Sequence, residues 1–162
     1  MNTDGRVQVA IRCAHDGGSG PAGRQTRDVY ALRIDHMVAH DLAGGIATLL
    51  NRNLPEVFGE GDPVRRKAAI QELYTDDCVL YVPPGALVGH DALDKFAGDL
   101  RATHPHFAYT PHGVPQVLHN SGRLAWGSGP KGEAPVYTGV DFIIVRDGKI
   151  AALYVYLDSP PA

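Results

Sequence analysis

The chain predicts an α+β domain in which three N-terminal helices pack on the concave face of a cone-shaped, curved, mixed or antiparallel β-sheet. Three observations carry that reading. Helical apolar stripes with capping signals precede Pro105. After it the chain is a series of short β-rich runs separated by Gly, Pro, Asn and Ser. The last two runs are joined by Asp147-Gly148, a pair that tolerates the positive φ of a tight hairpin turn. Helices do not fill the concave side of such a sheet, so a pocket is expected at its mouth.

Residues 1–36 carry Gly17-Gly18-Ser19-Gly20-Pro21 and scattered Arg and Asp without sustained periodicity, and read as a disordered tail. Met37 stands just before the first strong helical pattern and is a candidate translation start, which leaves 37–162 as the domain. A short strand over 6–12 is the competing reading. From Asp41, the residues Leu42, Ile46, Leu49 and Leu50 fall at i, i+4, i+7 and i+8, one face of a helix, although Gly44 and Gly45 lower its propensity. Pro55 opens a further turn that ends near Gly59. Asp62 as N-cap and Pro63 at the first helical position begin a second helix over 64–74, whose outer face carries Arg65, Arg66 and Lys67. A β-rich run over 78–82 stops at Pro83-Pro84-Gly85. Asp91 is expected to cap a third helix with the stripe Leu93, Phe96, Ala97 and Leu100. Strands follow over 107–112, 115–119, 123–128, 139–146 and 149–157.

A length of 162 residues suits one domain with an ordinary core. The formal charge of -3, without a long Lys/Arg run, argues against nucleic acid or an anionic membrane as the main partner and favours a small ligand. Cys13 and Cys78 lie far apart, Cys78 suits a small core position, and no signal-like or spanning apolar stretch occurs, so a cytoplasmic location is expected.

One carboxylate stands out. Period-two alternation puts Asp141, Ile143 and Val145 on one face of a strand and Phe142, Ile144 and Arg146 on the other. Burial of the first face would raise the pKa of Asp141 and prepare it for acid or base chemistry. A structural acid hydrogen-bonded to Tyr, Trp or backbone is the alternative. His90, His104, His106, His112 and His119 suggest metal ligands, but no Cys or Glu lies at companion spacing, and no metal or cofactor is expected. His90 or His119 as a catalytic partner of Asp141 is a further option. Residues 127–132 lack the order of a phosphate loop, and no G-x-S-x-G occurs. Tyr154 and Tyr156 share the convex face with Phe142 and Ile144, an apolar patch that predicts a homodimer.

The helix, helix, strand, Pro-Pro-Gly turn, Gly89-His90-Asp91-Ala92-Leu93 and helix order, the D-x-I-x-V-x-D-G-K-I stretch from Asp141, and the terminal YVYLD coincide over 41–158. Together they resemble the nuclear-transport-factor-2-like superfamily, in particular its SnoaL-like polyketide cyclase and ketosteroid isomerase branches. The resemblance implies a cystatin-like roll and makes Asp141 the catalytic carboxylate of the cyclases, or the oxyanion-hole acid of the isomerases. The isomerase base falls at Val82, and the acid of limonene-epoxide-hydrolase-like enzymes falls at Val155. Neither residue accepts a proton, so those two mechanisms are not expected. The implied pocket wall is Leu153, Val155 and Leu157 with Asp141, Ile143 and Val145, joined by Leu124 and Trp126 and by the hydroxyl of Tyr81. The implied activity is a proton-transfer cyclisation or isomerisation of a small apolar or aromatic carbonyl compound without a cofactor. The alternative is a noncatalytic binding or interaction protein on the same scaffold.

Overall fold

The structure, a computed structural model, describes residues 36–158. The segment read as a tail, the alternative strand over 6–12 and Cys13 lie outside the described residues, His36 excepted. Helix α1 (His36–Asn53) runs into a π turn (Leu54–Phe58) that is closed by the Gly59 N–H on the Leu54 carbonyl at 2.7 Å. Then come α2 (Pro63–Leu73), β1 (Tyr74–Val82), β2 (Gly85–Val88), α3 (His90–Thr103), β3 (Phe107–Leu118), β4 (Ser121–Pro130), β5 (Tyr137–Arg146) and β6 (Lys149–Leu157). The strands form one sheet in the order β2-β1-β6-β5-β4-β3. Every pairing is antiparallel except β1 with β6, so the sheet is mixed.

The expected α+β class is the observed one, and its core lies between the helices and one sheet face. Ile46, Leu50 and Leu54, Ile70 and Leu73, and Leu93 and Ala97 meet Leu124, Ile143, Val145, Ile150 and Leu153 there. Each large side chain removed from water contributes roughly 1.5–3 kcal/mol. Close approach of α1 to β4 depends on Gly122, where a Cβ would stand 2.7 Å from Ile46 Cγ2 and 3.0 Å from Leu50 Cδ1.

Several local expectations hold. Asp62 caps α2 by accepting from the N–H groups of Val64 at 2.8 Å and Arg65 at 3.0 Å. Asp147 and Gly148 adopt φ of 53° and 76°, as the hairpin requires. Cys78 is a buried free thiol.

Others are corrected. The first helix starts at His36 rather than Asp41, and of its expected apolar face Ile46, Leu49 and Leu50 are buried while Leu42 is 45% exposed. Tyr74 is extended and opens β1 instead of ending α2. Arg66 is not solvated with its neighbours: it is 6% exposed and donates from Nε to Asp94 Oδ1 at 2.7 Å. The missing side chain of Gly98 leaves room for it, because a Cβ there would stand 2.9 Å from the Arg66 Nη2. Asp91 does not cap α3. Gly89, at φ 84°, occupies the cap position without a side-chain bond, and Asp91 sits in the first turn. The two strands expected over 107–119 are one, β3, with a register shift between His112 and Gln116. Gly113 at φ 86° and Pro115, which has no N–H to donate, bend the strand there without ending it. Among the described residues, no helix is long and apolar enough to cross a membrane.

Candidate functional site

Register places the site. On β5, Asp141 lies opposite Leu124 of β4 and Val155 of β6. One step toward the Asp147 turn, Ile143 faces Gly122 and Leu153. One step the other way, Gly139 faces Trp126 and Leu157. Helices cover the first half of this face. The second half opens onto a cavity of about 280 Å³, with Asp141 at the boundary.

The cavity walls are mostly apolar. Leu54 and Phe58 come from the π turn, Val82, Pro83 and Pro84 from the end of β1 and its turn, Phe96 and Leu100 from α3, and Val155 and Leu157 from β6. Polar atoms come from Asp141, Arg101, His104, Tyr109, Ser128 and Tyr137, and Trp126 supplies a flat wall. Gly139 makes room for that indole, since a Cβ there would stand 2.8 Å from Trp126 Cζ2.

Four of the residues expected in the wall line it: Asp141, Trp126, Val155 and Leu157. Leu124, Ile143, Val145 and Leu153 share that face but lie deeper, between 0% and 6% exposed, where the helices fill the cone. Alternation assigns a face and not a depth. Tyr81 is on the wrong face altogether. It pairs with Tyr154 across the parallel β1–β6 ladder and stacks on it with ring centroids 4.4 Å apart, while its neighbour Leu80 is buried opposite Leu153.

Asp141 is 3% exposed and held at both oxygens. Trp126 Nε1–H donates to Oδ1 at 2.8 Å, and Asn53 Nδ2–H donates to Oδ2 at 3.1 Å. The Tyr74 hydroxyl donates to Asn53 Oδ1 at 2.5 Å, which leaves the amide only its NH₂ to offer the acid. Burial pushes the Asp141 carboxyl up to about 7, against the opposing effect of the Trp126 and Asn53 hydrogen bonds. Tyr74 and Tyr109 are both raised above the ordinary phenol value, first by burial and further by the Asp141 charge, so both remain protonated donors.

Asn53, Tyr74 and Arg101 were not singled out from sequence, although two left a signal. Asn53 continues the Ile46, Leu50 stripe at i+7 and i+3, a polar residue at a core position. Arg101 continues the Leu93, Ala97 row at i+4. His90 is engaged with the carbonyl of Thr75, 3.0 Å from its Nε2, and His119 occupies a positive-φ turn, so neither partners Asp141. Among the described residues, no group of three or more His, Cys, Asp or Glu is placed to hold a metal ion.

Residues 52–153, well over half the chain, match the family model of the SnoaL-like domain. The chain belongs to the SnoaL-like domain family. Solved structures share the fold of this SnoaL-like domain at low identity. A proposed isomerase of the SnoaL-like family from Agrobacterium tumefaciens superposes with a TM-score of 0.66 at 19% identity, covering 72% of this chain and 99% of its own. A proposed polyketide cyclase from Sinorhizobium meliloti gives 0.54 at 16% identity, with 70% and 97% covered. A nuclear-transport-factor-2-like protein of unknown function from Mesorhizobium loti gives 0.55 at 21%, with 72% and 93% covered. The SnoaL-like domain matches no curated protein by sequence.

Proposed function

We propose that this SnoaL-like domain takes a small, largely apolar carbonyl compound into the cavity and uses Asp141 to move a proton in its cyclisation or isomerisation. One observation carries most of the weight: a buried carboxyl raised to about 7 borders an apolar cavity. Such a group holds both protonation states near neutral pH, as a proton shuttle needs. The carboxylate takes a proton from a carbon next to the ligand carbonyl, leaving an enolate. In an isomerisation the same proton returns to another carbon of the conjugated system. In a cyclisation the enolate carbon bonds to a second carbonyl carbon of the same molecule, and Asp141 protonates the resulting alkoxide. Either cycle returns Asp141 to its starting state and needs no cofactor. The Tyr109 hydroxyl, kept protonated by burial and hydrogen-bonded to the Ser128 hydroxyl, is a donor available to the developing oxyanion.

The test pairs Asp141→Asn, which keeps size and most hydrogen bonds, with a screen of polycarbonyl and enone compounds. The expected result is turnover by the wild type and a loss of about 10²- to 10⁴-fold in the variant, with binding retained. Turnover unchanged in Asp141→Asn would remove the acid from the mechanism.

A second reading, binding without turnover, is favoured by the company Asp141 keeps. Its two direct partners, Trp126 and Asn53, do not titrate, and Val82 and Val155 supply no second base. Ligands that bind the wild type and Asp141→Asn with no product from either would establish it. The convex face supports a homodimer on either reading: Tyr156 is 61% and Tyr81 38% exposed there, beside Tyr154, Phe142 and Ile144.

A further inference from the structure

Arg101 lines the same cavity, and its charge has no carboxylate partner within ion-pair distance among the described residues. Two of its N–H groups are spent on backbone: Nη1 donates to the Phe107 carbonyl at 2.5 Å and Nη2 to the Pro105 carbonyl at 2.8 Å. These bonds lock the guanidinium in place between the end of α3 and the start of β3. The buried Nε–H has no partner. Asp141 is not its ion-pair partner, since the two carboxyl oxygens are held by Trp126 and Asn53.

A rigid, unpaired guanidinium in an apolar wall is a built recognition element for an anionic oxygen. We propose that the cavity selects ligands with a single negative charge, an apolar or aromatic body carrying a carboxylate that meets Arg101 while the rest of the molecule lies along Trp126 toward Asp141. One cation matches a monoanion, whereas a phosphate dianion would leave charge unbalanced in apolar surroundings. This assignment rests on reading the cavity as a ligand site, and it adds the chemical class of the ligand.

The experiment compares 2-naphthoate with the neutral 2-naphthamide by calorimetry on the full chain. The indole N–H resonance of Trp126, the only tryptophan in the sequence, reports that the cavity is the place of binding. Naphthoate is expected to bind the wild type at least about tenfold more tightly, an advantage that shrinks with added salt. Arg101→Met should abolish the advantage, and Arg101→Lys, which keeps the charge, should retain part of it. Because Arg101 also ties α3 to β3, the salt dependence in the wild type stands independently of how well Arg101→Met folds. Asp141→Asn should keep the preference whether or not turnover is lost, which separates this assignment from the proton-transfer reading. Equal affinity for acid and amide in the wild type, no binding of either, or a preference that survives Arg101→Met, would overturn it.

Discussion

Asp141 combines two opposing demands in one side chain. Trp126 and Asn53 offer N–H groups that favour the carboxylate, while burial favours the acid and wins, leaving the carboxyl at about 7. A group whose pKa rises on folding from an ordinary value near 4 is protonated in both states below that value and costs nothing there. Between pH 4 and 7 the unfolded chain releases the proton more readily than the folded one, so stability falls as pH rises, and above 7 the loss is complete. A shift of this size corresponds to roughly 4 kcal/mol. The expected outcome is a pH-dependent decline in urea-denaturation stability across that window in the wild type that Asp141→Asn lacks. A wild-type profile as flat as the variant's would refute it. The carboxylates held low by Arg and backbone donors, Glu60 among them, act below that window, with stability lost as pH falls. Alternation and an apolar setting made Asp141 itself legible in the sequence. Trp126 was legible beside it on the same wall, but Asn53 was not, because it reaches Asp141 from 88 residues away and no local pattern encodes that meeting.

At the scale of elements, the site is a matter of where strand faces change from core to cavity. Gly139 is the hinge of that change: it stands opposite Trp126 with no side chain, and the indole occupies the space. Gly139→Ala would press a methyl group against Trp126 and the Tyr156 carbonyl, with an expected cost of about 1–3 kcal/mol in urea denaturation. A shift of the Trp126 indole N–H signal should accompany it as the bond to Asp141 lengthens, and a variant with both properties unaltered would contradict the packing described. Strand faces, the Asp62 cap and the Asp147-Gly148 turn were readable because each depends on residues within a few positions. Depth along a face was not, and Leu124, Ile143, Val145 and Leu153 therefore passed for pocket wall. Tyr81 falls on the other face for a simpler reason: it alternates with Cys78 and Leu80, both 1% exposed, so its outward facing is itself a local pattern.

For the whole molecule, the order of helices and strands was enough to foresee the α+β class, and the family match over 52–153 agrees with it. The convex face, with Tyr81, Tyr154 and Tyr156 on adjacent strands, is expected to pair with a second copy. Light scattering on a size-exclusion column at micromolar concentration should give twice the chain mass, falling toward one chain in Tyr156→Lys, and a monomeric wild type would exclude the dimer. The sheet order also decides what the cavity depends on. Strands β3 to β6 pair with their neighbours in the chain, whereas the parallel β1–β6 ladder closes a long loop and carries the largest chain-entropy cost of the sheet. Val82 and Phe96 lie on one side of that closure and Asp141 and Val155 on the other, so the cavity wall is complete only where the ladder is formed. A molecule that binds there recognises only the completed fold, and its affinity is expressed in full as resistance to global unfolding.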